Sequence, residues 1–217
     1  MSHKQTARVA LVPPVQKSVS FNQEALTQQL IRHEGLMCGL YLRRNSEVFI
    51  GVGRNLSRVG VSEEEAYYLI SRDVKRLKPL LEQEENQFVQ GVHQLENEAA
   101  LSLPALLSDP HKVAYLFDNG ITQQEAHYLL ANDIKRIEVQ LSQAWASFST
   151  LPFHHQAVLI NMAFDIGVSQ VLRARDLLAA LAEGAIQFAA IELEVSDWAK
   201  LEGKRVKELV AQLRLAY

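Results

Sequence analysis

Ile31-Arg32-His33-Glu34-Gly35-Leu36, followed after a polar turn by Glu47-Val48-Phe49-Ile50-Gly51-Val52-Gly53, is the stretch that decides the fold. Leu26, Leu30 and Ile31 recur at helical spacing, and the pattern stops at Gly35, the residue type that most often caps a helix C-terminus. Glu34 falls one turn beyond Leu30 and Ile31, so its carboxylate projects from the apolar face. The negative end of the helix macrodipole disfavours an anion there, and burial disfavours its charged form. Two readings stand side by side. One is a solvated glutamate in a frayed last turn; the other is an acid kept protonated for catalysis near neutral pH.

Arg43-Arg44-Asn45-Ser46 reads as a turn, and the alternation from Glu47 to Gly53 reads as a strand in a small sheet. Val48, Ile50 and Val52 point one way; Glu47, Phe49 and the two glycines point the other. Gly51 and Gly53 leave one face bare, which suits close approach of a ligand or of another backbone; a kinked structural hairpin would use them equally well.

These elements resemble those of the phage-type lysozymes, glycoside hydrolases that cut peptidoglycan. In that family a helix ends in a Glu-Gly pair, here His33-Glu34-Gly35, and a hairpin carries Ile-Gly-x-Gly, here Ile50-Gly51-Val52-Gly53. The ending Gly53-Arg54-Asn55-Leu56 is similar to a phage and prophage branch. The likeness continues through Val59 to Ala66, resumes from Ala157 to Phe164 and again from Asp197 to Lys200, and so spans most of the chain from about residue 22 onward. The resemblance implies an α+β, predominantly α-helical, lysozyme-like fold: a small N-terminal sheet or hairpin, a helical C-terminal lobe, and inserted helical material between them. It also implies Glu34 as general acid, Gly51, Gly53 and Asn55 on the substrate side, no cofactor and no metal, and peptidoglycan as partner.

The chain departs from that family where the chemistry is most demanding. The family's catalytic pattern is Glu, eight residues, Asp, five residues, Thr; counted from Glu34, those places hold Arg43 and Phe49. Glycoside hydrolysis needs one carboxylic acid to protonate the leaving oxygen and a second carboxylate to stabilise or attack the oxocarbenium-like state, or to activate water. Arg43 would set a fixed positive charge beside a developing positive charge and favour an ionised neighbour over an acid. Phe49 cannot orient water as a hydroxyl does. Glu47, four residues past the expected Asp place, is the candidate substitute. Later family positions have drifted too: Gln170 and Ala174 stand where glycine and phenylalanine are usual, and the late Asn-Arg-Ala element reads Lys204-Arg205-Val206.

An internal repeat organises the middle of the chain. Gly60 to Gln83 runs nearly in register with Gly120 to Gln143, matching Glu65 with Glu125, Ala66 with Ala126, Tyr68 with Tyr128, Leu69 with Leu129 and Asp73 with Asp133. Each copy opens with a capping box, Ser62-x-x-Glu65 and Thr122-x-x-Glu125, and continues as an amphipathic helix. The link reads as helical around Phe88 to Leu95 and from Pro110 to Phe117. The expected organisation is a flexible extension over residues 1–20 and one lysozyme-like domain over 21–217. Within it, 21–60 form the helix and hairpin, 61–143 the duplicated segment and 144–217 the helical lobe. In that lobe, Ala157 to Phe164 is apolar nearly all round, as in a central bundle helix, with amphipathic neighbours over 176–182, 186–195 and 204–215.

Composition bounds the function classes. The chain has 217 residues, 48% of them hydrophobic, and a net charge of −3. That balance argues against nucleic-acid binding as a main role and differs from the basic surface expected of many enzymes acting on anionic walls. The single cysteine, Cys38, excludes an intramolecular disulfide and reads as core filler beside Met37 and Leu40. His154 and His155 are adjacent, point to different helix faces and read as surface or cap residues rather than metal ligands. Trp145 and Trp198 read as packing residues. No apolar run approaches the roughly 18 residues of a membrane span. The apolar stretch Val9 to Val12 ends at Pro13-Pro14, too short for a secretory leader, so a cytoplasmic protein released to the wall by a phage-type export or lysis route is expected.

Three functions follow. The first is a lysozyme-like, peptidoglycan-directed protein whose hydrolysis is lost or strongly reduced, acting by binding glycan or a protein partner. The second is an active lysozyme using Glu34 and a non-standard second group. The third is a helical phage structural or regulatory interaction protein.

Overall fold

The structure is a computed structural model that describes residues 21–43, 47–72, 117 and 119–215. Helix α1 (Phe21–Glu34) leads into an antiparallel sheet of β1 (Met37–Leu42), β2 (Val48–Gly51) and β3 (Arg54–Asn55), in the order β1-β2-β3. Helix α2 (Glu63–Arg72) follows, then the long α3 (Gln123–Ala144) and a short 3-10 turn over Ala146–Thr150. The C-terminal lobe comprises α4 (Phe153–Ile166), α5 (Val168–Val171), α6 (Arg175–Ala182), α7 (Ile186–Val195), α8 (Asp197–Leu201) and α9 (Gly203–Leu213). This is a predominantly helical α+β fold with one small sheet, as the sequence implies. The extension 1–20, the turn residues 44–46, the second half of the first repeat and the link up to residue 116 lie outside the described residues.

Two apolar clusters hold these elements. The larger is built around α4, whose Ala157 to Ala163 are buried on every side among α1, α3, α6, α7 and α9. A helix with no solvated face can only sit inside a bundle, and each fully buried Leu, Ile or Val there contributes about 1.5–3 kcal/mol of transfer free energy. The smaller cluster joins the sheet to the repeat helices through Ile50, Leu56, Val61, Ala66, Leu69, Phe117, Ile121, Ala126 and Leu129.

Both copies of the capping box are formed. Ser62 N–H donates to Glu65 Oε2 at 2.9 Å and Glu65 N–H to Ser62 Oγ at 3.2 Å. In the second copy Thr122 N–H donates to Glu125 Oε2 at 2.7 Å and Glu125 N–H to Thr122 Oγ1 at 3.2 Å. The matched tyrosines Tyr68 and Tyr128 meet ring to ring at 4.0 Å. Arg54 fills the space between the two helices. It donates to Glu65 Oε1 and Oε2 at 2.7 and 3.0 Å and to Asp133 Oδ2 at 2.7 Å, and also to the carbonyls of Gly60 and Leu129. Burial works against its charge, but these carboxylates more than offset that and hold the guanidinium more firmly protonated than free arginine.

Three local expectations are corrected. Met37 is exposed and Cys38 only half-buried, because β1 is an edge strand whose pleat turns Met37 outward; neither is core filler. His154 and His155 are buried rather than on the surface, since α4 has no solvated side; His155 Nε2 lies 3.1 Å from the Leu213 carbonyl. Burial, and then the neighbouring His155, lower the pKa of His154. Phe49, assigned to the bare strand face, is buried because Arg43 covers it.

Candidate functional site

Helix α1 ends at Glu34, where Gly35 takes a left-handed φ of 78° and turns the chain into β1. The turn carries Glu34 against β2 and α9 rather than into solvent. Its side chain is only 5% exposed, which removes the frayed, solvated reading. Gly53 lies directly beneath it: a Cβ there would stand 2.9 Å from Glu34 Oε2, and its φ of 66° is a conformation that side chains avoid.

Both carboxylate oxygens are occupied. Arg43 Nη2 donates to Oε2 at 2.8 Å and Arg205 Nη1 donates to Oε1 at 2.6 Å. Arg43 is held in place from behind as well. Its guanidinium carbon sits 4.6 Å from the centre of the Phe49 ring, which in turn stacks on Tyr41 at 5.6 Å. Burial opposes the Arg43 charge, but the hydrogen bond and charge of Glu34 outweigh it and raise the guanidinium's pKa. Burial likewise pushes the Tyr41 phenol up. The two residues that stand in the family's Asp and Thr places therefore act as a pair: the aromatic ring is the platform on which the arginine reaches Glu34.

Arg205 is fixed by α4. Its Nε donates to Asn161 Oδ1 at 2.7 Å and its Nη2 to the Asn161 carbonyl at 2.9 Å. Asn161 Oδ1 also lies 3.2 Å from His33 Nδ1, and His33 Nε2 lies 2.9 Å from Glu208 Oε2. Asp165, 4.0 Å from Arg205, accepts from Trp198 Nε1 at 2.6 Å, so Trp198 is a packing residue with its polar edge satisfied. None of His33, Asn161, Asp165 or Glu208 was singled out from sequence, and Arg205 was noted only as a surviving family position. That survival was the one available signal; the others lie on elements far apart in the chain.

Glu34 and Arg43 open into a cleft of about 1000 Å³ between the sheet, α3 and the end of α4. Glu47, Phe49, Gly53 and Asn55 line it too. Glu47 is committed to its own partners, accepting from Arg58 Nε at 2.6 Å and from Asn55 Nδ2 at 3.0 Å. Gly51 does not line the cleft; it faces α3, where a Cβ would meet Ala126 at 3.6 Å. It is the close approach of another backbone, not of a ligand, that this position accommodates. Across the cleft, Asp133 accepts from Arg54 on one oxygen and from Arg136 Nη2 at 2.6 Å on the other. Burial pushes the Asp133 carboxyl up, against both guanidiniums.

The family model described as Phage lysozyme matches residues 110–214. That stretch belongs to the phage lysozyme family. It supplies α3, Asn161, Asp165 and Arg205, so the far wall of the cleft and one partner of Glu34 are phage-lysozyme elements. Glu34, Arg43 and the sheet lie before the matched stretch. A lysozyme-like, peptidoglycan-directed role comes with the phage lysozyme region. Comparison with curated proteins finds no match for the chain. Among the described residues there is no cluster of His, Cys, Asp and Glu able to hold a metal, and no helix long and apolar enough to cross a membrane.

Proposed function

We propose that this is a phage-lysozyme-type protein whose muramidase chemistry is lost or strongly reduced, and that it acts by holding a peptidoglycan strand, or a protein partner, in the cleft. One observation carries the reading: each oxygen of Glu34 accepts from a guanidinium, at 2.8 Å from Arg43 and 2.6 Å from Arg205. A general acid must carry a proton on one of those oxygens and hand it to the glycosidic oxygen. Here each oxygen already accepts from a guanidinium, a donor with no lone pair to relay that proton. The position that needs an anion opposite the acid holds a cation instead. Removing one preorganised electrostatic contributor commonly costs about 10² to 10³ in rate, and reversing its sign costs more.

The test is retention against turnover. The full chain should sediment with insoluble peptidoglycan and release no soluble fragments from it. Loss of retention would direct the search to a protein partner; rapid fragment release would end the pseudoenzyme reading. A second reading, an active lysozyme, rests on Glu47 lining the same cleft as Glu34. It requires that Glu47→Gln abolish a measurable activity.

The intervening segment 61–143 is read as a duplication within a single domain over 21–217. The matched capping boxes and the Tyr68–Tyr128 stack support this. A family match that begins at residue 110 supports reading the second copy as the family's helix and the first copy as the addition.

A further inference from the structure

Three of the cleft's ion pairs share an asymmetry. In Arg43–Glu34 the side chains are 41% and 5% exposed, in Arg58–Glu47 they are 69% and 23%, and in Arg136–Asp133 they are 38% and 3%. In each pair the guanidinium is the solvent-facing partner and the carboxylate is recessed behind it. The formal charges cancel, but the surface offered to a ligand is made of arginine N–H edges. Arg43 and Arg58 stand on the sheet side and Arg136 on α3, so the three face the cleft from both walls. Each commits one nitrogen to its carboxylate, through Nη2, Nε and Nη2 respectively.

We infer that Arg58 and Arg136, with Arg43, make this cleft select a glycan strand that carries carboxylates over a neutral one. This rests on the proposed glycan-binding role and names what the glycan must bear. A planar guanidinium recognises a carboxylate through paired, charge-assisted hydrogen bonds, which sugar hydroxyls cannot match. The recessed acids do not repel such a ligand strongly, because each is already neutralised at hydrogen-bond distance. Arg58 and Arg136 are specificity-determining residues; neither is near enough to Glu34 in the bonding pattern to be part of the Glu34 ion pairs.

The experiment compares retention of the full chain on three insoluble polymers: peptidoglycan, peptidoglycan whose carboxyls have been amidated, and chitin. Retention should follow that order, with the first falling as salt rises from about 0.05 to 0.5 M. Arg58→Gln and Arg136→Gln should each weaken binding to native peptidoglycan about two- to fivefold, the range expected of a single exposed charge contact, while leaving chitin retention unchanged. Arg58→Lys should keep part of the preference, since the charge remains but the fork is gone. Circular dichroism melts of the variants separate loss of contact from loss of fold. Equal retention on all three polymers, or variants that bind native peptidoglycan as the parent does, would overturn the inference and leave glycan binding standing. Retention on none of them would overturn both.

Discussion

At the scale of the single residue, Glu34 makes adhesive contacts. It ties the sheet, through Arg43, to the last helix, through Arg205. Catalytic groups are commonly kept at a cost in stability, so that removing them stabilises the fold. A buried carboxylate satisfied by two guanidiniums behaves in the opposite sense, because its loss strands the buried Arg205 cation. Glu34→Gln should lower unfolding stability by about 1–3 kcal/mol, measured by denaturant melts. An increase would mean the pairing is strained rather than stabilising. Glu208 offers a second residue-scale check. Burial opposes its charge, but hydrogen bonds from His33, Gln29 and Arg32 lower its pKa from the usual 4.5 to about 2. The folded state therefore binds this proton less readily than the unfolded chain. The contribution is fully present above about pH 4.5 and is lost as pH falls toward about 2. The 41% exposure of the Glu208 side chain limits its size. Glu208→Gln should flatten the stability profile in that window and lower the plateau above it, with no change of slope near neutrality.

Among the elements, the contact that matters most is the one Arg54 makes between α2, α3 and the sheet. Its partners Glu65 and Asp133 are buried, and Glu65 is held below the usual carboxylate range: burial opposes this, and the Arg54 hydrogen bond outweighs it. Arg54→Ala would leave two buried carboxylates facing each other and should cost about 3–5 kcal/mol. Adding Asp133→Asn should return part of that loss, and the coupling can be read from a double-mutant cycle. Strict additivity of the two changes would show that Arg54 does not bridge the helices. Much at this scale was legible in the sequence. The cap at Gly35, the two capping boxes, the apolar Ala157–Phe164 helix and the pairs Tyr68/Tyr128 and Glu65/Glu125 all follow from periodicity and spacing. Tertiary contacts were not legible. Nothing local in Phe49 says that Arg43 will lie across its ring, and nothing in His154-His155 says that a helix with two imidazoles will be enclosed. The fate of Gly51 and Gly53 divides in the same way: alternate bare positions are visible in the strand, but only the packing of α3 decides which faces a helix and which faces Glu34.

For the whole molecule, the phage lysozyme region and the sheet-bearing region meet at the cleft, and the residues that depart from the catalytic pattern sit on the sheet side of it. Reverting them is therefore a local operation. Arg43→Asp removes one guanidinium from Glu34 and supplies an anion across the cleft; Phe49→Thr removes the platform that holds the arginine and supplies a hydroxyl. Either change alone should restore less, since Arg43→Asp by itself supplies no hydroxyl and Phe49→Thr by itself keeps a cation where the anion is needed. The most direct measurement is the rate at which purified protein clears a peptidoglycan suspension, for the unmodified chain and for the double variant side by side. A chain whose Glu34 is locked between two arginines should clear the suspension negligibly, and the double variant should clear it measurably. Brisk clearing by the unmodified chain, abolished by Glu34→Gln, would contradict the central claim.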